Sequence, residues 1–173
     1  MVRSHDEQER FCADAYPRLV GALAHHCGDV HLAEELAQSA LLKACRDWET
    51  VRQARSPVGW CYRVGVNAAH SWFRRVAAER RARARMGPAP TDHHDPDTAD
   101  RLAVHAALRR LTPSQREAVI LRYFLDLSVQ ETADALGSTP GAVRAQTHRA
   151  VKALRDELVP TPVADPQEAT DVR

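Results

Sequence analysis

Two helix-start signals separated by a short turn lie near the C-terminus, and they restrict the fold more than any other feature. Ser128 can accept a hydrogen bond from the backbone N–H of Glu131, whose carboxylate can accept one from the Ser128 N–H. Gly137 can end this first helix because glycine adopts the left-handed conformation at little cost. Thr139 and Pro140 then supply an N-cap and a proline at the first helical position of a second helix. The segment is predicted to be a helix-turn-helix.

The second of these helices is predicted to expose a basic face. Helical spacing places inward a set of apolar and small residues, Val143, Thr147, Ala150 and Leu154. The opposite side carries Arg144, His148, Arg149, Lys152 and Arg155, and no acidic residue interrupts it. Such a helix is typical of one that enters the major groove of DNA and neutralises phosphates. A helical hairpin with a simply solvated basic face is the alternative.

Charge is distributed unevenly along a chain whose net charge is only +1. Between Trp60 and Met86 there are seven arginines and one acidic residue. Residues 87–100 follow with three prolines, four aspartates and no lysine or arginine. This composition cannot bury a core, so the segment is predicted to be a flexible, acidic, proline-rich linker between two cationic regions.

The fold class is predicted to be all-α, because helix signals cover most of the chain and strand alternation almost none of it. We expect two small helical domains joined by the linker, the second containing the helix-turn-helix. The boundaries are 6–86 for the N-terminal domain, 87–100 for the linker, 101–158 for the C-terminal domain and 159–173 for a disordered tail. Ahead of the helix-turn-helix, the predicted helices run from about 6 to 27, from 29 to about 48, from 56 toward 86 and from about 101 to 111, and one more begins at 112. The apolar side of this last helix is predicted to be Ala118, Val119, Leu121 and Phe124.

The third predicted helix combines most of the aromatic residues with the densest positive charge. Its core-facing residues are predicted to be Trp60, Val64, Ala68 and either Ser71 or Trp72. Asn67 has poor helix propensity, but its amide can donate to and accept from a base edge. The same exposed sector is predicted to carry Tyr62, His70, Arg74 and Arg75. It would hold single-stranded or distorted DNA through stacking and charge; a solvated arginine face is the alternative.

A histidine and cysteine cluster raises the question of a metal, since imidazole and thiolate are good zinc ligands. The cluster consists of His25, His26, Cys27 and His31. Adjacent residues on a helix point about 100° apart, so no tetrahedral set forms without ligands from elsewhere. We therefore predict no metal and no cofactor. The four cysteines form no CxxC pair and are expected to be reduced. Without a signal peptide or an apolar run of membrane length, a soluble, cytoplasmic protein without a membrane partner is expected.

Residues 8–86 and 101–158 together resemble the extracytoplasmic-function sigma factors of bacterial RNA polymerase. The segment 33–38 resembles the acidic segment with which the family grips the polymerase. The segment from Trp60 through Asn67 is similar to the one that captures and opens the minus-ten promoter element, which implies that Asn67 holds a flipped base. The resemblance implies a set of core-binding residues, Glu34, Glu35, Gln38 and Leu42.

The C-terminal domain resembles the family's domain that reads the minus-thirty-five element, through Leu111-Thr112-Pro113, the segment 115–124 and the helix-turn-helix. In the family, the positions of Arg144, Ala145, His148 and Arg149 face DNA, and Lys152 joins them from the basic face. Thr132 and Thr147 stand where the family has larger aliphatic residues.

The resemblance implies a sigma factor, not an enzyme, that directs promoter-specific initiation. Its implied partners are core RNA polymerase, double-stranded promoter DNA and the melted non-template strand, and an anti-sigma factor stays an open possibility. One alternative is a helix-turn-helix regulator that binds an operator as a dimer. Another is a metal-dependent hydrolase of nucleic acid, for which the histidine cluster lacks matching carboxylates.

Overall fold

The computed structural model describes residues 2–84 and 99–158, and all regular elements in these ranges are helical. The elements are α1 (Val2–Cys27), α2 (Val30–Arg46), α3 (Trp48–Val51), α4 (Pro57–Ala84), α5 (Ala99–Arg110), α6 (Pro113–Val119), a π-helical turn (Ile120–Phe124), α7 (Val129–Leu136) and α8 (Pro140–Leu158). The all-α class is thus confirmed. The tail 159–173 and nearly all of the linker 87–100 lie outside the described residues, so their predicted disorder stays a prediction.

The predicted boundaries of the N-terminal helices follow local hydrogen bonds. Gly28 ends α1 with φ of 77°, and the Asp29 side chain accepts from the Leu32 N–H at 2.9 Å at the start of α2. The Ser56 hydroxyl likewise accepts from the backbone N–H two residues into α4, at 3.1 Å. Helix α2 ends at Arg46, two residues before the predicted end at about Trp48. There the chain turns so that Trp48 can bury its ring against Phe11, with the ring centroids 5.2 Å apart.

The helix-turn-helix forms as its capping residues predict. The Ser128 hydroxyl accepts from the Glu131 N–H at 3.1 Å, and the Glu131 carboxylate accepts from the Ser128 N–H at 2.7 Å. Gly137 ends α7 in the left-handed region with φ of 60°. The Thr139 hydroxyl accepts from the Ala142 N–H at 3.2 Å and starts α8. A second capping box at Thr112 starts α6 in the same way.

The main core is shared between the two halves of the chain. Its N-terminal part lies between α1, α2 and α4 and includes the fully buried Leu19 and Leu23. The same cluster continues into the C-terminal half through Ile120, Leu121, Leu125, Leu127 and Ala135. A smaller core of Leu108, Leu111, Val119 and Ala150 holds α5, α6 and α8 together. The halves therefore pack against each other in addition to being joined through the linker.

The buried sector of α4 differs from the predicted one. The predicted inward residues Trp60, Val64, Ala68 and Trp72 are only partly buried, and Ser71 is exposed. The buried residues are instead Gly59, Cys61, Tyr62, Gly65, Val66 and Ala69. Helix α4 packs on α1 and α2 and also on α7. Because this second contact comes from the C-terminal half, the buried sector is centred one position further along the helix than an isolated domain would have it.

The π-helical turn exposes Phe124, which the sequence predicts to face the core. The apolar side predicted after Thr112 consists of Ala118, Val119, Leu121 and Phe124, of which the first three are buried. Phe124 is instead 40% exposed and stacks on His25, with ring centroids 4.0 Å apart. The wider turn from Ile120 to Phe124 rotates the end of this segment away from the α-helical register.

Two buried threonine hydroxyls, those of Thr132 and Thr147, have no hydrogen-bond partner among the described residues. Replacing the fully buried Thr132 with valine is expected to raise the free energy of unfolding by about 1 kcal/mol, because it exchanges an unpaired hydroxyl for a methyl of similar shape. Urea denaturation measures the change. Thr132→Ser is the matched control and should lower stability, since it keeps the hydroxyl and loses the methyl. A less stable valine variant would contradict the prediction.

Candidate nucleic-acid interface

The basic face of α8 is exposed on the side opposite the core. Val143 and Ala150 are buried, which fixes the rotation of the helix. The structure places on the outer side the predicted residues Arg144, His148, Arg149 and Lys152, all exposed, and Ala145, half-buried. All five residues predicted to contact the minus-thirty-five element therefore lie on one accessible surface.

A shallow cavity of about 280 Å³ lies beside this face, between α8 and the turn before α7. Its lining includes Arg144 and His148 from α8 and Tyr123 from the π-helical turn, whose side chain is 62% exposed. The Arg122 guanidinium donates to the Leu127 carbonyl and shapes the wall of the cavity. Sequence reasoning missed Tyr123, because nothing in the pattern indicates a π-helical turn that would present it outward.

The predicted minus-ten residues on α4 divide into two groups. Asn67, His70, Arg74 and Arg75 are exposed as expected. Tyr62 is only 1% exposed, so its predicted place in the exposed sector is wrong. Its ring packs in the core shared by the two halves, and its hydroxyl lies 3.3 Å from Nδ1 of His26. An exposed aromatic ring is present further along the helix, since Phe73 is 40% exposed and packs edge-on against Trp72.

The exposed α4 residues border a crevice between the two halves. A cavity of about 160 Å³ is lined on the α4 side by Asn67 and His70 and on the opposite side by Glu117 and Leu136. Its opposite wall thus comes from α6 and α7. Asn67 and His70, two of the residues that the sequence assigns to DNA opening, therefore face the C-terminal half across a narrow gap.

Polar contacts also join the two halves of the chain. The Arg63 guanidinium donates to the Ala135 carbonyl at 3.0 Å, and the Arg18 guanidinium donates to the Leu125 carbonyl at 2.6 Å. Arg55 forms an ion pair with Asp134 at 2.6 Å. Arg18 and Arg63 thus satisfy carbonyl groups of the C-terminal half that lie at the end of a turn or helix.

A group of titratable side chains lies at the deep end of the crevice. One nitrogen each of His26 and His70 and a carboxylate oxygen of Glu117 all lie within 4.8 Å of one another. Burial, together with the charges of His70 and Arg116, lowers the pKa of His26 to about 4, so its imidazole is neutral near pH 7. Burial also raises the pKa of Glu117, against the opposing effect of the charges of His70, Arg116 and Arg63. Sequence reasoning missed this group because its members are far apart in the chain.

The histidine and cysteine cluster seen in the sequence does not come together. His25 stacks on Phe124, and His31 is exposed beside Glu34 at 3.9 Å. Burial raises the pKa of the Cys27 thiol to about 12, so it is not a thiolate at neutral pH. Of the cluster, only His26 joins other possible metal ligands among the described residues.

The predicted core-binding residues lie on α2, away from its buried side. Glu35 and Gln38 are exposed and Glu34 is half-buried. Leu42 is 65% exposed, which is unusual for a leucine in a helix with a well-packed opposite face. Glu35, Gln38 and Leu42 are spaced three and four positions apart, so these three exposed residues form one stripe along α2.

No helix in the described part of the chain has the length and apolar character needed to span a membrane.

Comparison with known proteins gives matches over both halves of the chain. The family model for sigma-70 region 2 matches residues 13–79, and that for sigma-70 region 4 matches residues 101–154. The RNA polymerase sigma-E factor of Streptomyces coelicolor is 35% identical over 127 residues, which are 73% of this chain and 72% of that protein. The RNA polymerase sigma factor CarQ of Myxococcus xanthus is 31% identical over 90% of this chain and 91% of that protein.

Solved structures include one with a similar fold. The sigma factor RpoE of Bartonella quintana, in complex with the anti-sigma factor NepR, has a TM-score of 0.72 at 22% identity and covers 88% of this chain and 96% of that one. At this identity the likeness concerns the fold.

The buried position of Tyr62 can be tested through stability. Tyr62→Ala is expected to lower the free energy of unfolding by about 3 to 5 kcal/mol, because it leaves a cavity in the shared core. Tyr62→Phe keeps the ring and loses only the contact with His26, so a loss of about 1 kcal/mol is expected. Thermal and urea denaturation of the full chain measure both. An alanine variant as stable as the parent would show that the ring is not part of the core.

Proposed function

The chain belongs to the extracytoplasmic-function group of RNA polymerase sigma factors, which direct promoter-specific transcription initiation, and we propose that its two halves divide this task. The N-terminal half, residues 6–86, binds core polymerase and opens the minus-ten element. The C-terminal half, residues 101–158, reads the minus-thirty-five element. The protein performs no catalytic step of its own and works in the cytoplasm, where RNA polymerase transcribes the bacterial chromosome.

The observation that carries this division is the presence of two separate exposed cationic faces on one framework. The face on α8 presents Arg144 and Arg149 with their guanidinium groups accessible, and an arginine can pair with both acceptors of a guanine in the major groove. His148 and Lys152 lie on the same side of α8 and supply further polar contacts and charge toward the phosphates. Tyr123 beside them offers an aromatic edge to the DNA backbone.

The face on α4 suits a melted strand better than a duplex. Asn67, His70 and Arg74 follow one another at helical spacing, so they form a stripe along which a single strand can run. Asn67 offers both a donor and an acceptor to a flipped base, and Arg74 and Arg75 neutralise its neighbouring phosphates. Because Tyr62 is buried, the exposed ring of Phe73 takes the stacking role that the sequence assigned to Tyr62.

The stripe on α2 is the proposed contact with core polymerase. Glu35 and Gln38 supply charge and an amide, and the exposed Leu42 supplies the apolar anchor that such an interface needs at its centre. Glu34, half-buried beside them, completes the acidic segment. This stripe lies on a different helix from either DNA face, so polymerase and DNA can be bound together.

The packed arrangement of the halves must open before both promoter elements are bound. The two elements are about 25 base pairs apart, or about 85 Å at roughly 3.4 Å per base pair. The longest helix, α4, has 28 residues and spans only about 42 Å. Two halves that share a core cannot reach across that distance, so we propose that core polymerase separates them and holds each on its element. Once one half is bound to its promoter element, the length of the linker sets the effective concentration of the other half at the second element.

The partners follow from this mechanism. They are core RNA polymerase, double-stranded promoter DNA and the melted non-template strand. An anti-sigma factor is a further proposed partner, because the Bartonella protein of the same fold is bound to one. The alternative of an operator-binding dimeric regulator is not favoured, since its N-terminal half would not be expected to match sigma-70 region 2.

Upstream recognition is tested by Arg144→Ala and Arg149→Ala in run-off transcription with core polymerase. Each is expected to weaken promoter binding by about 1 to 3 kcal/mol if its guanidinium pairs with a base. Arg155→Ala, on the same helix beyond the proposed reading residues, is the matched control for loss of charge alone. Equal losses for all three variants would mean that α8 attracts DNA only through its charge.

Promoter opening is tested by Asn67→Ala, which is expected to reduce the open-complex fraction roughly tenfold, the equivalent of about 1.4 kcal/mol. Permanganate reactivity of unpaired thymines measures the open complex, and filter binding measures the closed one. Closed-complex affinity should change little, because α8 is unaltered. If Asn67→Ala and Arg144→Ala weakened the closed complex equally, the proposed division between the halves would be wrong.

A further inference from the structure

The group at the deep end of the crevice joins three helices from both halves. His26 lies on α1, His70 on α4 and Glu117 on α6, and one possible ligand atom of each lies within 4.8 Å of the other two. Two of these residues come from the half that would open DNA and one from the half that would read the upstream element. No role in promoter recognition requires His26 or Glu117, since both lie between the halves.

We propose that His26, His70 and Glu117 form a Zn²⁺ site that clamps the two halves together. Two imidazoles and one carboxylate are a donor set that binds zinc, with the fourth tetrahedral position taken by water. Hard cations such as Mg²⁺ prefer oxygen ligands, so a set with two nitrogens favours zinc.

The geometry requires only small side-chain movements. Zinc takes nitrogen and oxygen ligands at about 2.1 Å, which puts tetrahedral ligand atoms about 3.4 Å apart. The atoms here lie within 4.8 Å, so each pair needs to approach by about 1.4 Å at most. His70 is exposed and Glu117 half-buried, and both side chains have room to rotate toward His26. The cavity of about 160 Å³ that His70 and Glu117 line supplies that room.

The buried ligand already has the support that metal-bound histidines need. Nδ1 of His26 lies 3.3 Å from the hydroxyl of Tyr62, a residue that is itself 1% exposed. With Nδ1 occupied in this way, Nε2 is the nitrogen available to a metal, and the ring orientation is fixed. This contact also gives a reason for a tyrosine rather than a phenylalanine in the shared core.

Two arginines face the site, and both are held by carbonyl groups. Arg63 donates to the Ala135 carbonyl at 3.0 Å. Arg116 donates to the carbonyls of Leu108, Arg109 and Leu111 at 2.9 to 3.3 Å. Their guanidinium groups are therefore committed to the end of α5 and of α7.

The regulatory consequence rests on the proposed function. A metal that binds one residue of the C-terminal half and two of the N-terminal half binds the packed arrangement better than the separated one. It must therefore shift the equilibrium toward the packed arrangement, and core polymerase and promoter DNA must in turn weaken metal binding. Zinc would thus hold the sigma factor in a form that cannot span both promoter elements.

Metal binding is tested on the full chain after chelator treatment, by calorimetric titration with ZnCl₂. One equivalent of zinc is expected to bind, and Glu117→Gln is expected to lower the affinity at least tenfold. Glu79→Gln, a change of the same kind at an exposed position of α4, should match the parent. Because Glu117 is the only ligand of the C-terminal half, its requirement would establish that the metal bridges the halves. Zinc should also raise the melting temperature of the parent and not that of Glu117→Gln, which shows in the same scan whether the variant is folded.

A pair of thiols is the competing location for zinc. Sγ of Cys12 and Sγ of Cys45 lie 3.5 Å apart between α1 and α2. Cys12→Ser should leave zinc affinity unchanged if the site is the proposed one. Loss of binding in Cys12→Ser with retention in Glu117→Gln, or absence of zinc binding by the parent at micromolar concentration, would overturn the proposal.

The consequence for transcription is measured separately. At a zinc concentration that saturates the parent, initiation with core polymerase should fall several-fold for the parent and Glu79→Gln, and stay unchanged by zinc for Glu117→Gln. If zinc binds through Glu117 but leaves initiation by the parent unchanged, the regulatory role is overturned and the metal site stands. Absence of initiation by every variant, with or without zinc, would instead contradict the proposed function and leave the titration result intact.

Discussion

The apolar contact between α1 and the segment from Ile120 to Leu127 holds the two halves in one body, and the other features of the interface depend on it. Leu19 and Leu23 on α1 and Leu121 and Leu125 opposite them are essentially inaccessible to solvent. Each such side chain contributes roughly 1.5 to 3 kcal/mol when buried. The ion pair between Arg55 and Asp134 is exposed and adds little stability of its own. The contacts of Arg18 and Arg63 with carbonyl groups are part-buried, and they help to fix the register of one half against the other.

The local structure could be predicted from the sequence because it depends on neighbouring residues. The capping boxes at Thr112 and Ser128 and the left-handed Gly137 each involve groups within a few positions of one another. The exposed reading residues of α8 could be predicted for the same reason, since Val143 and Ala150 fix the rotation of the helix. Features that depend on the contact between the two halves could not be predicted from the sequence. Tyr62 follows the pattern of a solvent-facing residue until α6 and α7 cover it, and Glu117 has no apparent partner until the fold brings His26 and His70 beside it.

The low DNA affinity expected of each face and the packing of the two halves in the free protein have the same effect: both reduce binding to DNA in the absence of core polymerase. With a net charge of +1, the chain has little nonspecific attraction to DNA, and neither face alone neutralises many phosphates. Specific affinity then arises only when core polymerase supplies a third surface and fixes the two faces at the right separation. Packing the halves together in the free protein lowers the background further, since it shields part of the opening face behind Glu117 and Leu136.

The π-helical turn at Ile120–Phe124 sets the angle at which the helix-turn-helix is mounted on the rest of the molecule. Such a turn holds one residue more than the α-helical turn that would otherwise stand there, and each helical residue contributes about 100° of rotation. Loss or gain of a single residue in this stretch would therefore turn everything after it by about a quarter of a revolution relative to α6, and would break the small core in which Val119 of α6 packs with Ala150 of α8. The number of residues in this turn therefore couples the direction of the DNA-reading face to the packing of the helices behind it.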